Sequence, residues 1–157
     1  MKVLWSILCG GISIDRETNN ISLFNVIEQI KPGAVFEVPE AAEAPPEAID
    51  NPPQVISSLS MRSVTLWART NLDTPETGQG RHKLVPPTGE PSVSNPYKID
   101  LTKFKRTRVI TNFPGLPSRG PGQYVVVVEL EQAKGEWATL FELPIEVDVQ
   151  EGSDAEP

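Results

Sequence analysis

The sequence predicts an all-β fold: an antiparallel sandwich of two sheets with about eight strands. Three observations carry that expectation. From Trp137 onward, Trp137, Thr139, Phe141, Leu143, Ile145, Val147 and Val149 alternate with Ala138, Leu140, Glu142, Pro144, Glu146 and Asp148. Successive strand side chains point to opposite faces, so this arm presents an apolar row inward and a largely acidic row outward. Next, Gly122–Gln132 contains four consecutive valines, Val125 to Val128, whose branched side chains suit a pleated surface. Residues 133–137, around Gly135, join the two arms into a long hairpin. Finally, short apolar segments recur along the chain between Pro- and Gly-rich turns, and none shows a helical period.

Lys2–Cys9 reads as the first strand, apolar on both faces and therefore central. Gly10-Gly11 breaks or bulges it, and Ile12–Ile14 continues it. One Lys before a short apolar run ending at Cys9 also has the outline of a lipoprotein signal. The run is short, however, and Leu8 is too large to precede a cleaved Cys, so a strand is expected. Asp15–Asn20 is a polar turn, and Ile21–Ile30 is a second strand antiparallel to the first. After Pro32-Gly33, Ala34–Val38 forms a short third strand. Residues 39–53 are acidic and rich in Pro and Ala, with one large aliphatic side chain, and are expected to be a long mobile loop.

Gln54–Thr70 is a long β segment whose alternation slips near Ser63. Asn71–Gly80 reads as a polar loop, Arg81–Val85 as a short strand and Thr88–Pro96 as a loop. Tyr97–Thr102 and Thr107–Phe113 are two more strands, and the Gly- and Pro-rich stretch Gly115–Gly122 feeds the closing hairpin. Pro144 lacks an amide hydrogen and marks an edge position or a change of pairing partner. Residues 1–150 then make one domain, and 151–157 an acidic, disordered tail.

At 157 residues the chain can bury a core without disulfide or metal. Its 14 Lys and Arg against 21 Asp and Glu give a net charge of −7. That balance argues against general nucleic-acid binding and against anionic membrane surfaces. The single Cys9 excludes an internal disulfide and reads as a small core residue, which fits a reducing, cytoplasmic setting. No apolar run approaches the roughly 20 residues of a membrane-spanning helix.

Chemistry-bearing constellations are sparse. His82 is the one histidine; between Arg81 and Lys83 it reads as an exposed polar residue without the partners of a metal or catalytic site. A hydrolase or metal-dependent enzyme using loop carboxylates near His82 is the alternative. Cys9 before Gly10-Gly11 is expected to be buried, not to act as a nucleophile. Gly115–Gly122 lies between strands, so it is no phosphate loop. Asp148, Glu151 and Asp154 lack the spacing of a calcium loop. No catalytic residue, cofactor or metal site is therefore assigned.

Trp5, Trp67 and Trp137 each fall in a strand and are expected to pack in the core, with a sugar- or ligand-binding platform as a further alternative. Lys98, Lys103, Lys105, Arg106 and Arg108 form a local basic patch. In an extended chain Lys103, Lys105 and Thr107 share one face, and Phe104, Arg106 and Arg108 share the other. Such a patch suits an acidic partner, and equally a solvated strand edge protected from aggregation.

Two stretches carry a resemblance. Val3–Cys9, the Asp15–Asn20 turn and Ile21-Ser22-Leu23-Phe24-Asn25-Val26-Ile27 are similar to the opening of a family of small bacterial β-sandwich domains of unknown function. Pro121-Gly122-Gln123-Tyr124, followed by the valines, resembles its closing strands and the tyrosine corner of immunoglobulin-like domains. The Cys…Trp…Cys framework of antibody domains is absent. The resemblance implies an immunoglobulin-like sandwich of bacterial origin and no catalytic residues. The expected role is that of a non-enzymatic binding or structural module that meets another protein or itself.

Overall fold

A computed structural model describes residues 1–30, 55–57, 61–113, 115–117 and 119–148. The strand expected over 34–38, the loop over 39–53 and the tail over 151–157 lie outside those residues. Among the described residues there is no helix, and twelve strands follow in order: β1 (Lys2–Ile14), β2 (Ile21–Val26), β3 (Gln29–Ile30), β4 (Val55–Ser57), β5 (Met61–Ala68), β6 (Glu76–Val85), β7 (Ser92–Val93), β8 (Tyr97–Leu101), β9 (Arg106–Phe113), β10 (Leu116–Pro117), β11 (Gly122–Ala133) and β12 (Glu136–Val147). Eight of them span five residues or more, namely β1, β2, β5, β6, β8, β9, β11 and β12.

Two sheets face each other. One has the order β2-β1-β5-β9; the other has β3-β12-β11-β6-β7, with β8 also on β6, and β4 and β10 make a separate pair. All pairing is antiparallel except β3 with β12, which is parallel and departs from the all-antiparallel expectation. The second strand expected over 21–30 is in fact two. Asn25 takes a left-handed φ of 53° at the end of β2, and the chain then crosses to the other sheet as β3. Pro144 lies two residues before β12 begins to pair with β3 at Glu146, a change of partner its missing N–H permits.

The closing hairpin forms as β11 and β12, with Gly135 in the turn at φ 83°. One residue disturbs its register. Val128 pairs Phe141 and Glu129 pairs Thr139, so Leu140 is an extra residue, a β-bulge. Beyond it the alternation continues inward through Phe141, Leu143, Ile145 and Val147. Before it the faces are exchanged, so Trp137 and Thr139 do not belong to the inward row that strict alternation assigns them. Trp137 instead lies outside, with the Arg81 guanidinium 4.1 Å above its ring.

β6 is longer than the five residues expected, because Thr77, Gly78, Gln79 and Gly80 continue it. Their composition suggests a loop, but the glycines make room for neighbours. A Cβ on Gly80 would stand 2.7 Å from the Tyr97 ring, whose residue pairs with Gly80 across the strands.

The interior between the sheets is divided. One apolar cluster gathers Leu8, Met61, Leu84, Tyr124, Val126 and Ile145; the other gathers Trp67, Ile99, Leu101, Val128 and Leu130. Between them lies a polar seam of Ser6, Ser63, Thr65 and His82, all buried. The seam accounts for the slip of alternation near Ser63: Ser63 and Thr65 face the interior although they are polar. Val64 between them is fully buried on the opposite face of the sheet.

Tyr124 is the third residue of β11, and its hydroxyl donates to Gly120 O at 3.0 Å and accepts from Arg119 N at 3.1 Å. This ties the loop before β11 to the base of the strand.

Candidate functional site

His82 is not exposed. In a strand its charged neighbours Arg81 and Lys83 point the other way, so His82 follows Gly80 and precedes Leu84 on the inner row. The imidazole is fully buried and meets hydroxyls on both sides. Nε2 lies 3.2 Å from Ser63 Oγ and 3.3 Å from Thr65 Oγ1, and Nδ1 lies 3.1 Å from Thr111 Oγ1. Ser6 Oγ extends the network to Thr65 Oγ1 at 2.8 Å. Tyr97 and Phe113 flank the ring at 5.4 and 5.9 Å between centroids. Burial lowers its pKa from 6.5 to about 4, so the ring is neutral at pH 7. Among the described residues no group of three or more His, Cys, Asp or Glu gathers as a metal site would require. Among the described residues the hydrogen-bond partners of His82 are hydroxyls, not the loop carboxylates that the enzyme alternative places beside it.

The three tryptophans occupy three different environments. Trp67 is fully buried in the second apolar cluster, as core packing predicts. Trp137 sits under Arg81 on the outside of the six-stranded sheet. Trp5 lies on the outer face of the four-stranded sheet, because the inward-facing Ser6 pairs Thr65 while Trp5 pairs Leu66. Cys9 is fully buried, as expected, and burial pushes its thiol pKa up.

The basic patch is divided as well. Lys98 stands on β8 beside Asp100, at 3.5 Å, and lines a shallow hollow with Glu131 and Lys134. Lys103 and Lys105 are exposed in the β8–β9 connection. Phe104, Arg106 and Arg108 do come together, but not through one extended strand: β9 begins only at Arg106, and Thr107, which the extended reading puts on the other face, lines the same surface. Together with Trp5, Leu66 and Ile110 they line a cleft of about 640 Å³.

The far wall of this cleft comes from a distant part of the chain. Ile14, Asn19 and Asn20 also line it. Were β1 straight, Ile14 would lie about 30 Å along the strand from Trp5. The β1–β2 hairpin must therefore turn back over the sheet's outer face. It does so after Cys9, the last β1 residue paired with β5, where Gly10 and Gly11 follow. Arg108 fastens the tip: Nη2 donates to Asn19 O at 2.6 Å and to Asn19 Oδ1 at 2.5 Å.

Both walls are held from within. Asp15 Oδ1 accepts from Thr18 N at 2.6 Å, Thr18 Oγ1 at 2.7 Å and Glu17 N at 3.1 Å, and these bonds, Thr18's first, hold its carboxyl below the usual range. Asn19 N also donates to Asp15 O at 2.9 Å, and Asn19 takes a left-handed φ of 56°, which Asn tolerates better than most residues. On the other wall, buried Arg69 donates from Nε to Leu101 O at 2.8 Å, from Nη1 to Leu72 O at 2.9 Å and from Nη2 to Thr102 O at 3.0 Å. Its amide donates to Lys105 O at 3.1 Å. Arg69 thus fixes the connection that carries Phe104. No motif points to Arg69 in the sequence.

The outside of the six-stranded sheet carries a second charged group. Glu129 is nearly buried between Arg81 Nε at 2.6 Å and Lys83 Nζ at 3.2 Å. Burial opposes its ionisation, but the bonds from Arg81 and Lys83 outweigh burial and hold the carboxyl below its usual range. Among the described residues no helix is long and apolar enough to cross a membrane. Compared with protein-family models and with curated proteins, the chain matches none of either.

Proposed function

We propose that this chain is an immunoglobulin-like module that works by binding another protein, not by catalysis, and that the cleft between β9 and the β1–β2 hairpin is its contact site. The observation that carries the reading is the composition of the cleft. It offers Trp5, Phe104, Arg106 and Arg108, the aromatic and arginine side chains that anchor protein interfaces. Among the described residues its lining holds no carboxylate, histidine or cysteine, the groups that most often move protons near neutral pH. Phe104 is 68% exposed, a large apolar ring awaiting cover.

The immunoglobulin-like part of the proposal is supported by strand order. A sheet of β1-β5-β9 facing β12-β11-β6, with a short first-sheet continuation, β3, parallel to the last strand, parallels the arrangement of such sandwiches. The Tyr124 hydroxyl bonded to Gly120 O corresponds to a tyrosine corner. A buried free thiol and a net charge of −7 suit a reducing, cytoplasmic setting.

A photo-crosslinking residue at position 104, with position 140 on the other sheet as control, tests the reading in the cells that make the protein. The expected outcome is a discrete heavier adduct from position 104 only, lost when Arg106→Glu is added. Adducts from neither position, or equally from both, would remove the proposal.

A further inference from the structure

We infer that the partner reaches the cleft with an extended acidic segment, one carboxylate meeting Arg106 and Arg108 while an adjacent apolar side chain rests on Trp5 and Phe104. This rests on the reading of the cleft as a protein contact and adds the chemistry of what enters it. Charge is the first argument. The chain carries −7 overall, yet among the described residues the cleft lining contains two guanidinium groups and no carboxylate. Among the described residues neither Arg106 nor Arg108 belongs to an ion pair.

Orientation is the second. Arg108 is already aligned by Asn19, but only through neutral oxygens on a single nitrogen, Nη2. Among the described residues no carboxylate pairs with it, and Nε and Nη1 have no partner there, which leaves their N–H donors for an incoming carboxylate. A guanidinium held in place loses less freedom on binding than a free one. Shape is the third argument. Trp5, Leu66 and Ile110 form an apolar floor beside the arginines, so the ligand must pair charge with an apolar neighbour, as a peptide strand with alternating side chains does. A nucleic acid fits less well, because its many phosphates would meet the field of a net-negative protein.

The test titrates the full chain with a labelled short peptide in which Glu alternates with Phe. Its Gln-for-Glu counterpart and a single-stranded oligothymidine run in parallel. Fluorescence anisotropy reads affinity and the Trp5 indole resonance reads location. The expected result is Trp5 perturbation with about tenfold tighter binding of the Glu peptide than of its Gln counterpart, the scale of a charge-assisted pair. Arg106→Gln should remove most of that preference without moving the thermal midpoint, since among the described residues the Arg106 side chain makes no hydrogen bond or ion pair, and the strand pairing of its backbone with Ala68 is kept. Equal binding of Glu and Gln peptides overturns the carboxylate inference while leaving the protein-contact reading in place. Tighter binding of oligothymidine, or an Arg106→Gln variant with an unchanged preference, also overturns it. The crosslinking outcome at position 104 reports on the broader reading independently.

Discussion

A neutral histidine enclosed by hydroxyls makes this fold sensitive to acid. His82 titrates at 6.5 when unfolded and at about 4 when folded, because burial disfavours its charged form. The unfolded chain therefore binds the extra proton first. Stability from this group is fully present above pH 6.5 and is lost as pH falls toward 4, by about 3 kcal/mol in all. Urea midpoints measured at pH 7.5, 5.5 and about 4 should fall accordingly, and a His82→Gln variant should show a shallower decline over that range. Equal slopes in the two proteins would refute the assignment. Glu129 acts separately but with the same sign, at lower pH: its lowered carboxyl stabilises above the unfolded carboxylate range and that contribution is lost as pH falls through its folded value. The burial of His82 was legible in principle. Gly80, His82 and Leu84 alternate with Arg81 and Lys83, and reading the flanking charges as a sign of exposure overlooked that a strand sends them to the other side. The burial of Cys9 and Trp67 was legible for the simpler reason that each stands in an apolar run of the sequence.

Strands as elements followed the period of two closely, and their failures have a common cause. A bulge at Leu140 exchanges the faces of the hairpin end, and no local residue announces it. Gly78 and Gly80 look like loop residues because the side chains that occupy their missing Cβ positions, from Met1 and Tyr97, belong to other segments. The cleft wall shows the same dependence. The alternation that puts Arg106 and Arg108 on one face of β9 was visible, but the return of Asn19 over them was not, since it depends on a turn-back of the β1–β2 hairpin. Arg69 is the element-scale support, joining the ends of β5 and β8 to the connection before β9. Replacing it with Gln should destabilise the protein by about 2–3 kcal/mol, because a charged donor to three carbonyls is removed. Hydrogen exchange at residues 103–106 should quicken in that variant more than exchange in β11. Uniform acceleration throughout the protein would argue that Arg69 has no local role.

The molecule as a whole places its best-supported strands inside each sheet. β5 lies between β1 and β9, and β11 lies between β12 and β6. Amides of β5 and β11 should exchange only on global unfolding, while those of β2, at the edge of its sheet, exchange about a hundredfold faster or more. Comparable protection in β2 and β5 would contradict the pairing order. That order was the least legible level: strands can be read one at a time, whereas the crossing into β3 and its parallel match with β12 depend on contacts more than a hundred residues apart. The hydroxyl seam bears on this level too. Ser63, Thr65 and Thr111 come from one layer and His82 from the other, so they meet in only one alignment of the layers. Sliding one layer by a two-residue step, about 7 Å, would leave the imidazole facing hydrocarbon and the hydroxyls without a mate. Oil alone would tolerate several such offsets; a few oxygens and one ring forbid all but the native one.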